Sequence, residues 1–183
     1  MGPPAIPQSL ESIAHSPLFG IFLAKVPLNK IKFDIMLKIG DRMPYFEVVD
    51  QDGNVFNSGQ LLGRKTIIYF YPKDNTSGCT AQACNLRDNY SRLVAEGYNV
   101  IGISKDSVNS HKNFSSKYDL PFTLLSDTST EILQAFGAWG EKKMYGKTTM
   151  GTLRKTFIFN EEGILVKIID KVDTKNHASQ ILE

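Results

Sequence analysis

Past residue 45 the chain breaks into short apolar runs separated by polar, glycine-marked turns, and the spacing inside each run predicts an element. Residues 46–49 and 55–56 flank Asp50-Gln51-Asp52-Gly53, which reads as a hairpin closed at the glycine. Residues 65–71 (KTIIYFY) are continuously β-branched and aromatic, the mark of a strand buried on both faces. Beyond a loop, Cys79, Ala83, Leu86, Tyr90, Leu93 and Val94 recur at helical spacing, with Arg87, Asp88 and Arg92 on other faces. They predict one helix, ended by Gly97. Residues 98–103 form the next strand, and strand–helix–strand within about 40 residues is a parallel βαβ unit of right-handed crossover. A helix near 107–118, a short strand at 122–125 and a helix near 128–136 continue the alternation. Residues 155–159 and 164–169 pair as a second hairpin around Asn160-Glu161-Glu162-Gly163, and a terminal helix starts near Thr174.

Helices interleaved with a parallel unit and closed by a hairpin and a helix describe a thioredoxin-like α/β fold. That is a central mixed sheet flanked by helices, with an N-terminal hairpin. Residues 36–183 are expected to form this domain. Residues 1–35 carry prolines at 3, 4, 7, 17 and 27 and show no sustained period, and Met36 is a second plausible start. They read as a loosely ordered extension or leader, with a docking segment on residues 18–23 as the functional alternative.

Composition narrows the classes. Apolar residues at 42% and charged residues at 22% suit a soluble globular domain, and a net charge of +2 makes no case for nucleic acid or an anionic membrane. No stretch approaches the ~20 apolar residues of a membrane helix. The apolar segment 16–26 is short, with neither a basic region before it nor a small-residue cleavage site after it. Two cysteines in 183 residues are too few for a disulfide scaffold and fit a reducing, cytoplasmic compartment.

Those two cysteines carry the candidate chemistry. Cys79 follows the loop 72–78 and falls in the first turn of the predicted helix, where unpaired N–H groups and the helix dipole favour a thiolate. A thiolate there can attack an O–O bond and become a sulfenic acid, which a second thiol can condense with. Cys84 lies five residues on. Along a regular helix that is about 7.5 Å of rise and about 140° of turn, putting the Cα atoms roughly 8–9 Å apart. Disulfide-linked Cα atoms are rarely more than about 7 Å apart, so a Cys79–Cys84 bond requires the helix to unwind locally. From the residues alone such a pair is more often two small buried hydrophobes than a redox centre. A zinc site is disfavoured, because two sulfurs with His15, His111 and His177 offer no ligand spacing, and C-x4-C excludes a C-x-x-C oxidoreductase.

The stretch Tyr71-Pro-Lys-Asp-Asn-Thr-Ser-Gly-Cys-Thr-Ala-Gln-Ala-Cys-Asn-Leu-Arg-Asp88 resembles the active-site segment of peroxiredoxins of the bacterioferritin comigratory protein, or Q, type. Further similarity lies at 102–104, 122–127, 136–142 and 154–158. It runs from about Met36 to the C-terminus and leaves out 1–35. The resemblance implies Cys79 as peroxidatic cysteine and Cys84 as resolving cysteine. Thr76 would contact thiolate and peroxide, Pro72 would shield the pocket, and Arg154 would stabilise the thiolate and polarise the peroxide. It further implies hydrogen peroxide or organic hydroperoxides as substrate, thioredoxin or a similar dithiol protein as reductant, no metal or organic cofactor, antioxidant defence as the role, and a monomeric working unit. Ser77 stands where many relatives have Pro, and Gln82 where many have Glu. Without the resemblance Arg154 belongs to a solvated basic stretch with Lys142, Lys143, Lys147 and Lys155, Trp139 is a packing aromatic in a loop, and His111 is structural or exposed. Two other classes stand beside the enzyme: a redox sensor whose helix unwinds on oxidation, and a binding module with inert cysteines.

Overall fold

The structure, a computed structural model, describes residues 36–144 and 146–183. The expectations for residues 1–35 lie outside the described residues. Nine strands and five helices follow in the order β1 Glu47–Asp50, β2 Val55–Asn57, β3 Lys65–Phe70, α1 Ser77–Asp88, α2 Tyr90–Ala95, β4 Tyr98–Ser104, α3 Val108–Lys117, β5 Thr123–Ser126, α4 Glu131–Ala135, β6 Trp139–Met144, β7 Lys147–Thr152, β8 Lys155–Phe159, β9 Leu165–Ile169 and α5 His177–Leu182, among the described residues.

Seven strands form one mixed sheet in the order β2-β1-β5-β4-β3-β8-β9. β3, β4 and β5 are parallel, β1 joins β5 antiparallel, and β8 runs antiparallel to β3. This is the thioredoxin-like sheet expected, with the N-terminal hairpin added at one edge. The continuous run of β3 is buried along almost its whole length because helices cover both faces. Alternation sorts its side chains. Ile67, Tyr69 and Tyr71 join Cys79, Ala83 and Leu86 of α1, Phe114 of α3, and Ala178 and Ile181 of α5 in one layer. Ile68 and Phe70 join Phe46, Ile132, Leu133 and Phe136 in the other. β8 alternates likewise, with Ile158 on the α1 layer and Phe157 and Phe159 on the opposite one. Gly102 on β4 is required by close approach: a Cβ there would lie 2.7 Å from the Tyr69 ring and hydroxyl.

Two elements depart from expectation. The helix expected through residues 79–94 is interrupted at Asn89, whose φ and ψ are −104° and 9°. Its side-chain amide donates to the Asn85 carbonyl at 2.8 Å, sharing it with the Asn89 backbone N–H at 3.2 Å, so the break lies in the dihedral angles and not in a lost ladder bond. Residues 139–152, where the sequence pattern assigns no element and places Trp139 in a loop, carry the antiparallel pair β6–β7. That hairpin is rich in lysine, threonine and glycine, so neither period marks it, and Trp139 packs beside the second layer from a strand. Gly97 ends α2 as expected, with φ of +86°.

Candidate active site

The site sits where β3 ends and α1 begins. The connecting loop is tied down by Asp74, a buried carboxylate. Tyr71 donates its hydroxyl to Asp74 Oδ1 at 2.8 Å, Ser110 donates to Oδ2 at 2.7 Å, and His111 Nδ1 lies 2.9 Å from Oδ2. The other ring nitrogen, His111 Nε2, lies 3.1 Å from the Leu125 carbonyl, and the Asp74 N–H donates to Asp106 at 2.9 Å. α3 and the turn that follows β4 thus hold the loop, and His111 is structural and wholly buried. Asn75 turns the chain in the left-handed region, φ +58°, and Thr76 is the N-cap residue of α1.

Cys79 and Cys84 both lie on this continuous helix as free thiols, Cys79 1% exposed and Cys84 partly buried. The Cys79 thiol is lodged against the Tyr69 and Tyr71 layer. Antiparallel register explains how a residue 75 positions away reaches it: β8 pairs Phe70 with Lys155, so Arg154 sits beyond the C-terminal end of β3, over the start of α1. Arg154 Nη2 donates to Cys79 Sγ at 3.3 Å. A permanently cationic donor placed there is in position to hydrogen-bond to sulfur and to an oxygen on which charge develops beside it. The guanidinium also lies over Gly78, where a Cβ would meet Nη2 at 3.4 Å, an ordinary contact distance.

Thr76, which is exposed, donates its hydroxyl to the Lys73 carbonyl at 2.9 Å and has no hydrogen bond to Cys79 in this state. Its lone pairs remain free to accept from an incoming O–H group. Pro72 lies half-buried two residues past β3, in the loop that opens the site. Its fixed φ and missing N–H make it a rigid wall without a donor.

Arg154 has a second contact. Its Nη1 donates to Gln82 Oε1 on the next turn of α1. Gln82 Nε2 lies 3.1 Å from His177 Nδ1 at the start of α5, and His177 Nε2 lies 2.9 Å from Thr156 Oγ1 on β8. Gln82, His177 and Thr156 are all 0% exposed. Burial first, and the Arg154 charge second, lower the His177 pKa to about 4, so the ring is neutral at ordinary pH. Burial, followed by the Arg154 charge, also lowers the Lys142 pKa, so that lysine stands nearer the site than a solvated face implies. Sequence reasoning missed Asp74, Thr156 and His177 as site supports. Asp74 is inside the motif and could have been found there, whereas nothing local marks Thr156 or His177.

Residues 39–168 match the AhpC/TSA family. The chain is 42% identical over 146 residues to peroxiredoxin Bcp of Escherichia coli, covering 80% of this chain and 94% of that one. A putative peroxiredoxin bcp of Coxiella burnetii is 40% identical over 146 residues, covering 80% and 97%. Among solved structures, the Xanthomonas campestris bacterioferritin comigratory protein, described for its alkyl peroxide reduction activity, superposes with a TM-score of 0.71 at 35% identity, covering 75% of this chain and 87% of that one. Xylella fastidiosa PrxQ superposes at 0.75 with 27% identity, covering 80% and 93%.

Proposed function

The chain belongs to the AhpC/TSA family, and from that premise we propose how its site works. It is a peroxiredoxin, acting on hydroperoxides with a thiol reductant. The proposal assigns the steps to residues. The Cys79 thiolate attacks the terminal oxygen of ROOH; the S–O bond forms as the O–O bond breaks, and RO⁻ leaves to take up a proton as ROH. Arg154 holds the thiolate and spreads the charge developing on oxygen, Thr76 accepts from the peroxide O–H, and Pro72 walls the pocket. The Cys84 thiolate then attacks the sulfur of the Cys79 sulfenic acid, the S–O bond breaks, hydroxide leaves and takes up a proton as water, and a Cys79–Cys84 disulfide forms. A dithiol protein reduces it by exchange.

The single observation supporting this most strongly is the guanidinium donor at 3.3 Å from a buried thiol at a helix start. Unwinding of α1 is part of the proposal, because both cysteines are on intact helix. For the finer points the support is the motif's resemblance: thioredoxin or a comparable dithiol protein as reductant, hydrogen peroxide and organic hydroperoxides as substrates, residues 36–183 as the working domain, and a monomer. Two free cysteines fit the cytoplasm, and no described helix is long and apolar enough to cross a membrane.

A peroxidase assay with thioredoxin and its reductase on three proteins tests the residue assignment. Wild type turns over many equivalents of peroxide. Cys79→Ser consumes none. Cys84→Ser consumes about one equivalent per chain, stalls as sulfenate and is rescued by small thiols. Multi-turnover activity in Cys79→Ser would sink the assignment.

A further inference from the structure

The contacts that reach Arg154 from behind form a single directed chain across three elements: Thr156 on β8, His177 on α5, Gln82 on α1 and then the guanidinium. We propose that His177 and Thr156 are positioning residues, which aim Arg154 at Cys79 by deciding which end of the Gln82 amide faces the guanidinium. The inference rests on the reading above that Arg154 acts on the Cys79 sulfur.

The direction of each link follows from donor and acceptor inventory. Arginine has donors only, so Gln82 must turn Oε1 toward Nη1. Its NH2 then faces His177 Nδ1, which can accept only when it carries no proton. With Nδ1 accepting, the single proton of the neutral ring is on Nε2, and Nε2 donates to Thr156 Oγ1. The reverse arrangement, with a proton on Nδ1, draws Gln82 Oε1 toward the ring and turns its NH2 on the guanidinium, donor against donor. All three supporting side chains are fully buried, so solvent cannot repair a broken link. Thr156 keeps the favourable arrangement closed: without its oxygen, Nε2–H is a buried donor with no partner, and the ring is released toward the reverse arrangement. The α1 and β8 ends of the chain belong to the two segments that meet at the site, and α5 supplies the link between them.

A carboxylate in place of the amide removes the problem, because it accepts at both ends. Glu at position 82 would hold Arg154 with one oxygen and accept from His177 with the other, whatever Thr156 does. The relay is therefore needed because this chain has glutamine there, and this yields a test that packing alone cannot mimic.

The rate of sulfenate formation at Cys79 is measured by rapid mixing of the reduced full-length chain with hydrogen peroxide, for wild type, Thr156→Val, Thr156→Ser, His177→Leu, Arg154→Met, Gln82→Glu and the double variant Gln82→Glu/Thr156→Val. Thr156→Val and His177→Leu are expected to slow it by about tenfold to a hundredfold, the range for a displaced donor. Thr156→Ser keeps the oxygen and is expected near the wild-type rate. In the Gln82→Glu background, Thr156→Val is expected to lose most of its penalty. An equal penalty in both backgrounds, or none in either, overturns the positioning role. The site reading itself is separated by Arg154→Met. If that variant reacts at the wild-type rate, Arg154 does not act on Cys79 and both readings fall. If it is slow while Thr156→Val and His177→Leu are not, only the relay falls. Circular dichroism of each reduced variant confirms the fold before rates are compared, and Thr156→Ala, alone and with Gln82→Glu, takes the place of Thr156→Val should that variant not fold.

Discussion

At the scale of single residues the site is a thiol, a cation and a buried polar chain behind the cation. Cys79 and Cys84 were legible from spacing as a candidate pair, yet their reactivity was not, since small buried cysteines look the same. Arg154 was legible only by resemblance. Its contact with Cys79 spans 75 residues and depends on the pairing of β8 with β3, which no local pattern encodes. His177 was illegible for a related reason: its partners come from α1 and β8, and its own neighbours carry no sign of them. Its environment nonetheless has a measurable consequence. The His177 pKa falls to about 4, first through burial and then through the Arg154 charge. Between about pH 6.5 and that value the unfolded chain binds a proton that the folded chain refuses. The associated stability is full above about 6.5 and is lost as pH falls toward 4, to the extent of roughly 3 kcal/mol. Urea unfolding of wild type and His177→Asn at a series of pH values checks this: the stability difference between them should narrow as pH falls through that window. A difference independent of pH would refute it.

At the scale of elements, the strands read well where they are apolar and poorly where they are not. β3 and β4 announce themselves by continuous β-branched runs, while β6 and β7 present lysine, threonine and glycine and form a hairpin without a sequence period. The split between α1 and α2 is a local change of backbone dihedral at Asn89, with the bond from its N–H to the Asn85 carbonyl still made. What helical spacing did show is that α1 must unwind for Cys79 and Cys84 to meet, and the structure adds a neighbour that depends on it. Asn85 of α1 accepts from the Ala178 N–H at 2.8 Å and donates to the Lys175 carbonyl at 2.9 Å, capping α5 from outside. The local cap residue Asn176 makes no side-chain cap of its own. Opening α1 therefore removes the cap and the Gln82–His177 bond together. Hydrogen exchange should show residues 76–86 deprotected in the disulfide form, and the amides of α5 deprotected with them. Asn85→Ala should loosen α5 already in the reduced form, by about 1 kcal/mol. Full protection of α5 in protein shown to hold the Cys79–Cys84 bond would refute the coupling.

At the scale of the molecule, one sheet separates two apolar layers with different duties. The layer containing Cys79 includes α1, α3 and α5, whereas the opposite layer gathers Phe46, Phe70, Phe157 and Phe159 around Phe136. Phe136→Ala should cost about 3–5 kcal/mol of stability, read from chemical denaturation. Sulfenate formation in the molecules still folded should stay within about twofold of wild type, because sites without shared partners behave additively. A rate loss in proportion to the stability loss would show the two layers to be coupled. The layering was foreseeable from alternation along β3, while the assignment of the site to one layer was not, since it requires knowing which face α1 covers. β8 belongs to both layers at once. Thr156 and Ile158 serve the side of the site, Phe157 and Phe159 the aromatic side, and Arg154 stands just before them. A strand of this kind has no spare phase for an insertion or deletion. Losing one residue between 154 and 159 would send phenylalanines toward the thiol and a hydroxyl into the aromatic layer, so length changes accumulated by descent have room in the β6–β7 hairpin and none here.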